Sequence, residues 1–108
     1  MPWATFANEP PAGQLRITSP ATGNFTVRLL SSVAELFPST MFSIGGDEVN
    51  AECYNEDTQT KQDLASAGMT WQQALNSFTQ NSTNALRILN KTVVVWQGKF
   101  LALFDFMC

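Results

Sequence analysis

The sequence holds 108 residues, enough for one small domain, and is 44% hydrophobic with eight Phe and three Trp; that apolar content can fill a core and excludes disorder by composition. Six basic against nine acidic residues give a formal charge of -3, without blocks of either sign, which excludes a nucleic-acid surface and a polybasic membrane anchor. No histidine is present, so Ser-His-Asp and Cys-His nucleophiles and most zinc sites are excluded, and any acid–base work falls to carboxylates.

The opening Met1-Pro2-Trp3 lacks the basic segment and apolar run of a secretory leader. All five prolines lie within the first 38 residues. The consecutive pair in Glu9-Pro10-Pro11-Ala12-Gly13-Gln14-Leu15 removes donors and fixes φ, which predicts a loop. From about Gly23 to Phe37 the apolar residues Val27, Leu30, Val33, Ala34 and Phe37 recur at helical spacing, and Pro38 closes the predicted helix. Met41-Phe42-Ser43-Ile44 is a short apolar run stopped by Gly45-Gly46, which predicts a buried strand ending in a sterically open turn. Asp47 and Glu48 then stand at its C-terminal end.

Residues 50–57 read as a loop. Asp57 to Ala67 predicts a short helix closed by Gly68, and Thr70-Trp71-Gln72-Gln73 has the form of a capping box opening the next helix. Trp71, Ala74, Leu75, Phe78, Ala85, Leu86 and Leu89 supply its buried stripe. Lys91 to Gln97 contains the β-branched run Thr92-Val93-Val94-Val95 before Trp96, which predicts a second strand. Its unbroken apolarity favours a parallel strand covered on both faces. Helix, strand, helical crossover and strand make a β-α-β arrangement, whose ligand sites belong beyond the strand C-termini. Two parallel strands leave both edges unpaired, whereas a closed (β/α)8 barrel needs about 250 residues. The fold class expected is therefore α/β: a fragment of a TIM barrel, not a complete one.

The stretch Phe42-Ser43-Ile44-Gly45-Gly46-Asp47-Glu48-Val49-Asn50 resembles the signature of glycoside hydrolase family 20, the β-N-acetylhexosaminidases, at the end of the fourth barrel strand. Trp3-Ala4-Thr5-Phe6-Ala7-Asn8-Glu9-Pro10-Pro11-Ala12-Gly13-Gln14-Leu15 and Asn50-Ala51-Glu52-Cys53-Tyr54 are similar to the fungal members, and Val94-Val95-Trp96-Gln97 to the end of the next strand. Resemblance runs from residue 2 to residue 97, so residues 1–97 are read as a partial catalytic domain. A retaining pair of carboxylates stands about 5–5.5 Å apart across the sugar, which adjacent residues do not easily achieve, whereas this family uses the substrate's own acetamido oxygen as nucleophile. The resemblance implies that Glu48 is the general acid and base, kept protonated by burial beside a second carboxylate. It implies that Asp47 orients the 2-acetamido group, that Gly45 and Gly46 let the backbone pass under the sugar, and that Trp96 walls the acetamide pocket. From periodicity alone, Trp96 reads as barrel packing and the acidic pair as a solvated strand end.

No metal or organic cofactor is implied; the partner implied is a carbohydrate with terminal GlcNAc or GalNAc, and the resemblance allows a homodimeric parent. The family draws an Arg, a His and further pocket tryptophans from other strands, so this slice is expected to be inactive alone. In fungal members the cysteine at the position of Cys53 is disulfide-bonded to one upstream of the Trp3 stretch, which implies an unpaired Cys53 unless Cys108 serves. Asn24, Asn81 and Asn90 open three N-x-S/T triplets, candidate glycosylation sites that favour a secreted or vacuolar-lysosomal parent. Residues 98–108 match nothing in the family pattern and are expected to be a foreign tail, such as translated intron or a gene-model artefact; their apolar run is too short to span a bilayer. A GGDEF-type nucleotide cyclase is disfavoured because its motif sits on a hairpin between antiparallel strands. A truncated, non-catalytic sugar-binding remnant is the reading from a different functional class.

Overall fold

In the computed structural model, which describes residues 5–9, 12–45 and 49–95, the chain begins with an antiparallel hairpin of β1 (Ala7–Glu9) and β2 (Ala12–Leu15). A loop was the expectation over residues 9 to 15. The prolines fall between the two strands in sequence, so neither strand needs an N–H from them. Ala7 pairs with Leu15 and Glu9 with Ala12, so two steps of β1 face three of β2. Gly13, at φ 92°, takes the backbone conformation that such a bulge requires. The hairpin is tied to the first helix by the Phe6 and Phe25 rings, 5.2 Å apart and tilted by 46°.

The helix α1 spans Pro20–Leu36, three residues earlier than the apolar spacing indicates. Its start is fixed by Ser19, whose Oγ accepts from the Thr22 N–H, and by Pro20, whose ring suits the first helical position. Its end falls before Pro38, as expected, with Phe37 extended at φ -117°. Residues 51 to 56, read as loop, instead form a short helix α2 (Ala51–Glu56), followed by α3 (Thr58–Ala67) and α4 (Trp71–Ile88). Gly68 closes α3 in the left-handed conformation at φ 64°, and Thr70 with Gln73 opens α4 in a reciprocal capping box. All seven residues of the expected α4 stripe are buried or half-buried. Leu86 has no exposed surface.

The strands β3 (Met41–Ser43) and β4 (Thr92–Val94) pair in parallel, Met41 against Thr92 and Ser43 against Val94. The helices between them form the crossover, and α1 and α4 pack against each other with α4 beside β4. The two-faced burial expected of these strands is not found: Phe42 and Val93 are half-buried, while Met41, Ser43, Thr92 and Val94 are exposed. The alternation of half-buried and exposed residues along both strands means that one face of the sheet is covered, with α4 packed beside β4. No helix of the described residues is long and apolar enough to cross a membrane.

Candidate active site

Both parallel strands leave the sheet at the same end, with the Ile44 N–H donating to the Val94 carbonyl at 3.0 Å. Gly45 follows at φ 68°, a conformation that side-chain-bearing residues adopt only with strain. The expectation that a glycine is needed here is met by that angle. Gly46, Asp47, Glu48 and Trp96 lie outside the described residues.

Beyond that turn the chain is held firmly. Asn50 caps α2, its side-chain oxygen accepting from the Glu52 N–H at 3.0 Å. Its backbone is gripped by a single side chain from β2: Gln14 Oε1 accepts from the Asn50 N–H at 2.6 Å, and Gln14 Nε2 donates to the Asn50 carbonyl at 3.0 Å. Two residues farther along, just past the end of β2, Arg16 makes a two-pronged ion pair with Asp57, Nε to Oδ2 and Nη2 to Oδ1 at 2.9 Å each. Asp57 closes α2 and caps α3, accepting from the Thr60 N–H at 3.1 Å and the Thr60 hydroxyl at 2.5 Å. Farther along, the Thr18 hydroxyl donates to Asp63 at 2.9 Å.

Asp57 is only 8% exposed. Burial pushes its carboxyl up, but the hydrogen bonds from Arg16 and Thr60 and the Arg16 charge outweigh that and hold it below the ordinary carboxylate value. Arg16 is raised in turn, chiefly by its hydrogen bond to Asp57 and against the effect of burial. An acid so fully occupied serves the scaffold and has no proton to give. Gln14, Arg16 and Asn50 carried no signal that singled them out as a group in the sequence. An Asn followed two positions later by a carboxylate is a helix-start pattern and could have located α2.

Tyr54, read as a loop residue, is buried in α2 with its ring 6.1 Å from that of Trp71. Cys53 beside it is 2% exposed and disulfide-bonded; the other cysteine, Cys108, which was the alternative to an unpaired thiol, lies outside the described residues. Asn24 and Asn81 are exposed on α1 and α4, and Asn90 is exposed after α4 at φ 60°. Among the described residues no cluster of three or more His, Cys, Asp or Glu side chains could hold a metal.

The sequence matches glycosyl hydrolase family 20, catalytic domain, over residues 2–104. It is 41% identical over 59 residues to a chitooligosaccharidolytic β-N-acetylglucosaminidase of Bombyx mori, covering 54% of this chain and 10% of that protein. It is 30% identical over 82 residues to β-hexosaminidase subunit A1 of Dictyostelium discoideum, 76% of this chain and 15% of that protein. With β-hexosaminidase 1 of Arabidopsis thaliana the identity is 31% over 83 residues, 73% of this chain and 15% of that protein. The chain thus spans 10–15% of the length of these relatives. With a family match across nearly all of its length, around a parallel β-α-β unit, the chain belongs to glycosyl hydrolase family 20, within its catalytic domain.

Proposed function

We propose that this chain carries the acidic centre of a β-N-acetylhexosaminidase, which removes terminal non-reducing N-acetyl-β-D-hexosamine from chitin oligosaccharides or glycans. The observation that carries the reading is the family match spanning residues 2–104, which contains the Gly45-Gly46-Asp47-Glu48 motif. It is supported by the parallel register, which brings the turns after β3 and β4 to one end of the sheet, the end where barrel enzymes build their sites.

In this reading Glu48 protonates the leaving glycosidic oxygen while the substrate's acetamido oxygen attacks the anomeric carbon, so that the glycosidic bond breaks and an oxazolinium ion forms. Asp47 accepts the acetamido N–H and stabilises the positive charge that develops there. The Glu48 carboxylate then takes a proton from water, whose oxygen attacks the anomeric carbon. The ring C–O bond opens, the acetamide is restored, and the configuration is retained. Trp96 packs on the acetamide, and Gly45 and Gly46 admit the sugar close to the backbone.

The active molecule is a longer parent with the rest of the barrel, and this chain alone is inactive; its share of the relatives' length supports that. The parent is secreted or vacuolar-lysosomal, a reading supported by the exposure of Asn24, Asn81 and Asn90, and a homodimer fits it. Fungal character rests on the stretches at residues 3–15 and 50–54. The division at residue 97 is tested by sequencing the transcript across Gln97. For the activity, the test is hydrolysis of a chromogenic N-acetylglucosaminide by the longer product and by this chain. Glu48→Gln should lower kcat of the longer product by roughly 100-fold or more; full activity in that variant overturns the assignment, and no activity in any form favours a sugar-binding remnant.

A further inference from the structure

We infer that Gln14 is a positioning residue for the acidic turn, holding the Asn50 backbone so that Glu48, two residues upstream, keeps its aim at the leaving oxygen. The inference rests on the roles proposed above for Glu48 and Asp47. Its basis is the two-point grip already described: one side-chain amide, 36 positions away in sequence, satisfies both the N–H and the carbonyl of Asn50. A single hydrogen bond leaves a backbone free to pivot, whereas two bonds from one planar group fix the orientation of the peptide as well as its place.

Asn50 is also buried and commits its own side chain to the α2 cap, so the chain cannot rotate there without losing these bonds. At the other end of the turn, the bond from Ile44 to Val94 anchors the strand just before Gly45. Asn50 follows Glu48 by two residues in the sequence, at most about 7 Å of chain. In the roles proposed above, an anchor so near in sequence is the one the acid depends on.

The position of Gln14 also separates aim from attachment. The hairpin that bears it is docked independently by the Arg16–Asp57 ion pair and the Phe6–Phe25 ring contact. Changing Gln14 therefore removes the grip on Asn50 and leaves the hairpin in place.

The test is made on the longer, active product. Gln14→Leu should lower kcat roughly 10- to 100-fold, since a misplacement of about 1 Å can cost that much, with KM within about twofold. The exchange rate of the Asn50 amide, read by mass spectrometry, should rise about tenfold or more. Gln14→Glu keeps the acceptor for the Asn50 N–H and loses the donor to its carbonyl, so its kcat should fall between the two; it also serves if the leucine variant fails to fold. A kcat unchanged in both variants, or reduced only in proportion to the folded fraction, overturns the inference. If Glu48→Gln abolishes activity while Gln14→Leu leaves kcat unchanged, this inference alone fails; if Glu48→Gln stays active, the proposed function fails with it.

Discussion

Asp57 joins two helices and a hairpin through one carboxylate, and its depressed pKa makes that joint sensitive to acid. The group is more acidic folded than unfolded, so its contribution is complete above the unfolded value of about 3.9 and is lost as pH falls through the folded value. Urea unfolding near neutrality and near pH ~3 should show this as a fall in midpoint that Asp57→Asn largely abolishes. Near neutrality Asp57→Ala should cost about 2–4 kcal/mol, because it leaves Arg16 without its carboxylate in a half-buried setting. Tyr54 acts at the opposite limit. Burial pushes its hydroxyl up to about 12, so the phenol resists ionising in the folded chain. Stability should decline as pH rises from about 10 toward that value, at roughly 1.4 kcal/mol per unit. This is the one tyrosine in the sequence, so phenolate absorbance follows it directly, and Tyr54→Phe should remove the decline. Neither role was legible beforehand. Asp57 reads locally as an ordinary helix start, and its ion pair depends on a hairpin 41 residues upstream, a separation that no periodicity reports.

Among the elements, those specified by their own neighbours were legible and those specified by distant ones were not. The capping box of α4 lies within four residues and was readable as such; Thr70→Ala should cost about 1 kcal/mol, measured by thermal or urea unfolding. Gly68 was readable as the stop of α3, and a side chain there would meet no neighbour within 4 Å. Gly68→Ala should therefore cost only the left-handed backbone penalty, about 1 kcal/mol. By contrast, the hairpin was obscured by its prolines and glycine, which argue for a loop when pairing partners are unknown. The short helix α2 has too few residues for a periodic stripe, and its stability comes from Gln14 and Arg16 gripping its two ends. The strands β3 and β4 were found as apolar runs, but their unbroken apolarity pointed to two covered faces, of which this chain's described helices supply one.

Among the described residues, the apolar side chains left in water lie mostly along α1, β3, β4 and the end of α4. Leu36 is 77% exposed, Phe37 57%, Met41 62% and Ile88 80%, a concentration that ordinarily marks surface meant to be covered. The isolated chain should bind a hydrophobic dye and elute as concentration-dependent aggregates, and Leu36→Lys together with Ile88→Lys should reduce both effects. The pairing of the parallel strands has a kinetic consequence as well. Met41 meets Thr92, 51 positions later (92 − 41), so the entropy of closing that long loop must be met before any strand contact repays it. The helices, by contrast, are held along their length by bonds between residues four apart, and closing such a loop is no precondition for them. The relative placement of the two strand ends is thus settled only once a long loop has closed.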